Sequence, residues 1–251
     1  MSIEVERKFL CSANTLKTLK EIGGTVCCCY FTQIFNCLFY MTLFTVCAGQ
    51  RQFHDQYFDT PQFHLTLRDM WLRKRTGCWE LKCPTTRVKG AEESEASAQC
   101  SRYKEITNLS DIKLKLKEVL KDIGEDVTSR KQLSCVTESC QHEIDSVQDQ
   151  CWARSMNLFV FAEFTTVRQT FTLKEDGVQV DLDEADFGYR VGEIEVLIPE
   201  GGDMQAAMDK IERTAKKLGL TGDRQVDGKM SVYLQVNYPE HYARLLSEHI
   251  L

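Results

Sequence analysis

The 251-residue chain is 43% hydrophobic and 27% charged, which is enough apolar content to bury a sizeable core and too much for a disordered segment. Its formal charge of -6 excludes a general nucleic-acid binder, because counterion release from a phosphate backbone needs a surplus of Lys and Arg on the binding face. The start, Met1 to Lys8, is charged and lacks the apolar run of a secretory signal, so the cytoplasm is expected and the twelve cysteines read as reduced thiols.

In chain order, Ile3 to Phe9 alternates with period two, placing Glu4, Glu6 and Lys8 on one strand face and Ile3, Val5 and Phe9 on the other. Asn14 to Ile22 has the spacing of a short helix. Residues 26–46 (VCCCYFTQIFNCLFYMTLFTV) carry no charge and are long enough to span a bilayer. No Lys or Arg cluster flanks them, and they separate two segments that must share one polar interior, so we read an atypical insertion and not a membrane span.

Strand alternation resumes beyond it. Trp71, Arg73 and Arg75 share a face, as do Glu80 with Lys82 and Tyr103 with Glu105. Ile112 to Ile123 is an amphipathic helix ending before Gly124. Asp181 with Asp183 and Glu193 with Glu195 are further strand pairs, Met204 to Leu218 and Pro239 to Ile250 read as helices, and Lys229 to Gln235 reads as a last strand with Lys229, Ser231 and Tyr233 on one face. Polar loops are expected near 85–101 and 129–151, within one domain covering 1–251.

A single charged strand face usually meets solvent. Here the faces concentrate carboxylates on some strands and Arg or Lys on others, and like charges side by side are unfavourable unless a cation lies between them. The set predicts an α+β fold: a closed antiparallel barrel of about eight strands with a polar, charged tunnel and helices packed outside. Carboxylates suit a hard divalent cation such as Mg2+, and Arg and Lys suit phosphate oxygens. No Gly-rich phosphate loop or Walker lysine is present, which excludes ordinary P-loop chemistry.

The motif Glu4-x-Glu6-x-Lys8 resembles the first strand of the CYTH superfamily of triphosphate tunnel enzymes. DQYFDTP (55–61), WLRKR (71–75), WELKCP (79–84), YKE (103–105), VDLDEADFGYRVGEIEV (180–196) and KMSVYL (229–234) follow in the family's order. The resemblance implies metal carboxylates at Glu4, Glu6, Glu105, Asp181, Glu193 and Glu195. It also implies phosphate contacts from Lys8, Arg73, Arg75, Lys82, Arg168 and Lys229. Arg168 lies in FTTVRQTF, a looser match.

The implied activity is Mg2+-dependent removal of the terminal phosphate of thiamine triphosphate by a monomer whose partner is this small substrate. Trp71, two residues before Arg73 on the same face, is expected at the organic end. For the proton of the attacking water, Lys8 with Tyr57 is the catalytic pair considered, the alternative for Tyr57 being a barrel aromatic. The competing readings are an inorganic or nucleoside triphosphatase of the same superfamily and a non-catalytic polyphosphate-binding module.

Overall fold

The computed structural model describes residues 2–23, 25–26, 50–85, 100–122, 151–174, 176–220 and 225–251. The strands are β1 (Ser2–Phe9), β2 (Thr25–Val26), β3 (Gln50–Asp59), β4 (Trp71–Arg75), β5 (Cys78–Pro84), β6 (Cys100–Ile106), β7 (Phe159–Leu173), β8 (Val178–Ala185) and β9 (Arg190–Pro199). Their order in the sheet is β2-β7-β3-β4-β5-β6-β1-β9-β8, and β8 pairs back onto β7. That pairing closes an antiparallel barrel of eight strands, as the alternating charged faces predict.

Alternation sends one side of each strand inward and the other beneath the helices. Helix α1 (Thr15–Glu21) and helix α3 (Met204–Lys217) cover β1, β8 and β9, where Leu19, Ala207, Met208, Ile211 and Ala215 pack on Val5, Phe9, Val180, Ile194 and Val196. Helix α3 starts at Asp203, whose side chain accepts the Ala206 N–H at 3.0 Å, and ends with Lys216 and Lys217 against its negative pole. Gly192 has a packing reason: a Cβ there would lie 2.1 Å from the Phe9 ring. Helix α2 (Leu109–Asp122) buries Ile112, Leu116 and Leu120 on Leu72, Trp79, Leu81 and Ile106. Burying each such large side chain stabilises the fold by about 1.5–3 kcal/mol.

The segment beginning at Lys229 departs from expectation. It is a helix, α4 (Lys229–Asn237), followed by α5 (Pro239–Ser247), and not a strand. The β7–β8 pairing leaves the barrel no open edge for another strand. The window KMSVYLQ also satisfies helical spacing, since Met230, Tyr233 and Leu234 pack together on Tyr57, Phe161 and Phe164. The fifteen-residue strand β7, which carries Arg168, was not legible as a strand; the β-bulge between Tyr57 and Phe58 opposite it interrupts a simple register.

The expected apolar insertion at 26–46 lies outside the described residues except for Val26, which belongs to β2. The expected loop 85–101 is described only at its ends, and 129–151 only at Cys151. Strands β2 and β3 are collinear on one side of β7: Val26 pairs with Phe171 and Gln50 with Gln169, so only Thr170 separates the two partners. Val26 and Gln50 thus flank a single position opposite Thr170. Among the described residues no helix is long and apolar enough to cross a membrane.

Candidate active site

The inward faces of β1, β8 and β9 form an acidic wall. Register places Glu6 opposite Glu195 and Lys8 opposite Glu193, and Asp181 opposite Glu193 on the other side. Glu4, Glu6, Asp181, Asp183 and Glu193 are all buried. Like charges cannot be concentrated there without compensation, and the neighbouring strands supply it. Lys8 pairs with Glu6, and Lys82 of β5 with Glu4 and, at 3.4 Å, with Glu105 of β6.

Arg168 is the centre of the densest cluster. Its Nε donates to Asp183 Oδ1 at 2.6 Å and its second terminal nitrogen to Asp183 Oδ2 and Glu193 Oε2, each at 2.7 Å, while the first contacts Asp181. Lys229, at the first position of α4, reaches Asp183 and, at 3.1 Å, Glu193 Oε1. Strand or helix, Lys229 thus meets the acids that the alternation grouped. Burial works to raise the Glu193 carboxyl, but Lys229, Arg168 and Lys8 outweigh it and hold it well below the ordinary range.

Two acids remain under-compensated. Burial pushes the Glu195 carboxyl up to about 8, with Glu4 and Asp181 adding repulsion, and Glu195 makes no ion pair with any described residue. Glu4 is pushed up to about 7 by burial, against the pull of Lys82 and with repulsion from Glu6 and Glu105. Among the described residues no three acids, His or Cys converge as a ready metal cage. The donor set nevertheless fits a hard divalent cation: all are carboxylates, and Glu195 has no cation paired with it among the described residues.

The opposite wall comes from β3, β4 and β5. Arg73 pairs with Glu80 at 2.6 Å, and Tyr57 lies close enough to Arg73 to add to the holding of its charge. Arg75 grips fully buried Asp55 through Nε and a terminal nitrogen, at 2.6 and 2.7 Å, and stacks 3.9 Å from the centre of the Phe53 ring. Asp55, Glu80 and Asp183 were not among the expected site residues. Their alternation with Tyr57, Lys82 and Asp181 is the signal that could have found them.

The sequence's Lys8–Tyr57 pair is distributed differently: Lys8 is tied to Glu6, while Tyr57 sits by Arg73 and stacks on Phe164 at 5.7 Å. Phe164, Phe187 and Tyr233 extend this aromatic group, with ring centres 5.3–5.7 Å apart. Part-buried Trp71 packs against the same cluster, and its indole N–H donates to Asp69 at 2.9 Å. Through Tyr57 and Trp71, β3 and β4 thus join the charged interior to an aromatic cluster.

Fold and site together define a closed antiparallel barrel whose inward strand faces are charged. The chain belongs to the CYTH domain family, which it matches over residues 45–227. Glu4, Glu6, Lys8 and Lys229 fall outside that match. Over 97% of this chain and 89% of theirs, it is 32% identical to the thiamine-triphosphatase of Macaca fascicularis and 33% identical to that of Homo sapiens. A solved protein structure from Pyrococcus horikoshii OT3 is also similar, at 17% identity and a TM-score of 0.49, covering 92% of this chain and 98% of that one.

Proposed function

We propose that this chain hydrolyses thiamine triphosphate to thiamine diphosphate and phosphate, using Mg2+, as a cytoplasmic monomer built from one domain. The observation that carries this reading is one closed barrel whose inward faces gather carboxylates, Arg and Lys side chains and, through Tyr57 and Trp71, an aromatic cluster. The likeness to the two thiamine-triphosphatases supports it. A bound divalent cation, held by carboxylates drawn from Glu4, Glu6, Glu105, Asp181, Glu193 and Glu195, would neutralise phosphate charge and lower the cost of the developing leaving group.

The chain's own residues supply positioning. Arg73 and Arg75, oriented by Glu80 and Asp55, present fixed forks to the triphosphate; Lys82 beside them and Lys8, Arg168 and Lys229 from the other strands and α4 add charge. Enclosure by the barrel limits bulk water and strengthens these contacts. The aromatic cluster receives the organic group. Phosphate release from thiamine triphosphate, inorganic triphosphate and ATP, each with and without Mg2+, tests the reading: thiamine triphosphate should be turned over fastest and only with the metal. Faster turnover of either other substrate would replace this reading with a related triphosphatase.

Arg73→Ala should lower kcat/KM by about one to two orders of magnitude, the loss of a charge-assisted contact worth ~1.5–3 kcal/mol. Arg75→Ala should do the same. Lys74 faces outward over the Trp79 ring, 5.6 Å from its centre, and Lys74→Ala should leave kinetics nearly unchanged. Equal losses at all three positions would contradict the inward assignment of the arginines.

Trp71→Ala should lower kcat/KM for thiamine triphosphate about thirty-fold, since cation–π attraction to a desolvated thiazolium reaches ~2 kcal/mol. Inorganic triphosphate, which has no ring to stack, should be hydrolysed at nearly the wild-type rate. Similar losses on both substrates would remove Trp71 from the specificity site.

Because Val26 and Gln50 are separated by one partner position on β7, deleting residues 27–48 leaves Gly49 as the single bridging residue. The shortened chain should retain activity, and removal of the loop-closure cost should stabilise it by roughly 2 kcal/mol in thermal or urea unfolding. A deleted chain that folds but no longer hydrolyses triphosphate would assign the segment a function.

A further inference from the structure

Helix α4 begins without the local features that usually fix a helix start. Its N-cap is Gly228, which offers no side chain to the free N–H groups, and its first residue is Lys229, a cation at the positive pole of the helix. Local sequence works against Lys229 at this position, so tertiary contacts place it. Four residues of the β8–β9 hairpin supply them: Asp183 of β8, Glu193 of β9, and Phe187 and Tyr189 of the turn between.

Asp183 and Glu193 hold the Lys229 ammonium, and Phe187 packs on Tyr233 of α4 with ring centres 5.7 Å apart. The Tyr189 hydroxyl donates to the backbone carbonyl of Asp227 at 2.7 Å, so only Gly228 lies between the anchored carbonyl and Lys229. Burial and the nearby Asp227 charge push the Tyr189 phenol up, and it remains a donor. Gly228 also leaves room for Lys8, whose Cε would lie 3.1 Å from a Cβ there. The turn that carries Tyr189 is itself anchored on β7: Asp186 donates its N–H to the Thr165 carbonyl at 2.9 Å and accepts the Thr165 N–H at 2.8 Å. Gly188 reverses the chain at φ 86°, a conformation that strains a residue bearing a side chain. The hairpin tip is thus fixed to the barrel before it meets α4.

We propose that Tyr189 is a positioning residue for the reaction: by holding the Asp227 carbonyl it sets where α4 begins, and so where the Lys229 ammonium stands for the substrate phosphates. The inference rests on the reading given under Proposed function, in which Lys229 supplies charge to the triphosphate, and extends it to a residue outside the phosphate and metal groups. A lysine stem is flexible, and fixing the backbone that carries it narrows the positions its ammonium can take. Tyr189→Phe is the informative variant, since it keeps the ring and removes only the hydroxyl.

In the full chain, Tyr189→Phe is measured alone and in the backgrounds Lys229→Met and Lys229→Gln, on thiamine triphosphate and inorganic triphosphate, with melting temperature as a check on folding. Either background that folds completes the cycle. Alone, Tyr189→Phe should lower kcat/KM about fivefold, within the range for one hydrogen bond, and equally on both substrates, which share the phosphates that Lys229 addresses. With Lys229 replaced there is no ammonium left to position, so the same substitution should change kcat/KM by less than about twofold. The full loss persisting in the lysine-free background would make the hydroxyl a purely structural contact and overturn the proposal. An unchanged rate for Tyr189→Phe alone, or a loss confined to thiamine triphosphate, would overturn it as well. A wild-type chain that hydrolyses inorganic triphosphate but not thiamine triphosphate would overturn the thiamine reading, and the cycle on inorganic triphosphate would still decide the role of Tyr189. A wild-type chain inactive on both substrates would overturn the two together.

Discussion

Arg168→Ala is expected to lower kcat/KM by more than two orders of magnitude and to destabilise the fold by about 3–5 kcal/mol, the usual cost of removing one partner of a buried ion cluster. Arg168 is 15% exposed and bonds Asp183 and Glu193 at 2.6–2.7 Å, besides contacting Asp181. Without it, only Lys229 and, toward Glu193, Lys8 are left to face three neighbouring carboxylates. The repulsion should be relieved as those carboxylates take up protons, so the stability deficit should narrow between pH 7 and pH 5.

Arg168→Lys separates charge from shape. Lys restores a positive charge but not the planar fork that serves two acids at once, so intermediate stability and low activity are expected. Thermal melting at both pH values and steady-state kinetics check this. Wild-type melting in Arg168→Ala would show that the cluster contributes nothing to the fold.

Glu195→Gln and Glu4→Gln should raise the Mg2+ concentration for half-maximal activity at least tenfold and lower turnover, while stabilising the metal-free chain at alkaline pH. Both carboxyls are pushed above their ordinary value of 4.5, Glu195 to about 8 and Glu4 to about 7. Each is therefore held protonated more firmly in the folded chain than in the unfolded one. Its contribution to stability is fully present below pH 4.5 and is lost as pH rises through 7 for Glu4 and through 8 for Glu195.

The metal-free wild type should accordingly melt lower at pH 8.5 than at pH 6, and Glu195→Gln should flatten that slope. Mg2+ binding requires the carboxylate form, so its stabilising effect should grow over the same interval. Melting scans over pH, with and without Mg2+, read both effects. Unchanged Mg2+ dependence in Glu4→Gln, Glu6→Gln and Glu195→Gln would refute the assignment of the metal to this wall.

The sequence by itself determined which side chains face inward on β1, β4, β5, β8 and β9, because period-two alternation is a property of the local backbone and needs no knowledge of neighbours. It also determined the amphipathic helices α2 and α3, whose apolar stripe is equally local. It did not determine the conformation of Lys229–Asn237, where seven residues satisfy both periods and only the closed β7–β8 edge excludes a strand. Nor could it say which polar group meets which: Arg168 with Asp183, Arg75 with Asp55 and Trp71 with Asp69 are set by strand register, barrel closure and a left-handed turn. Charge pairing at 2.6 Å depends on positions distant in the chain being brought into register, and that register is decided only when the sheet closes on itself.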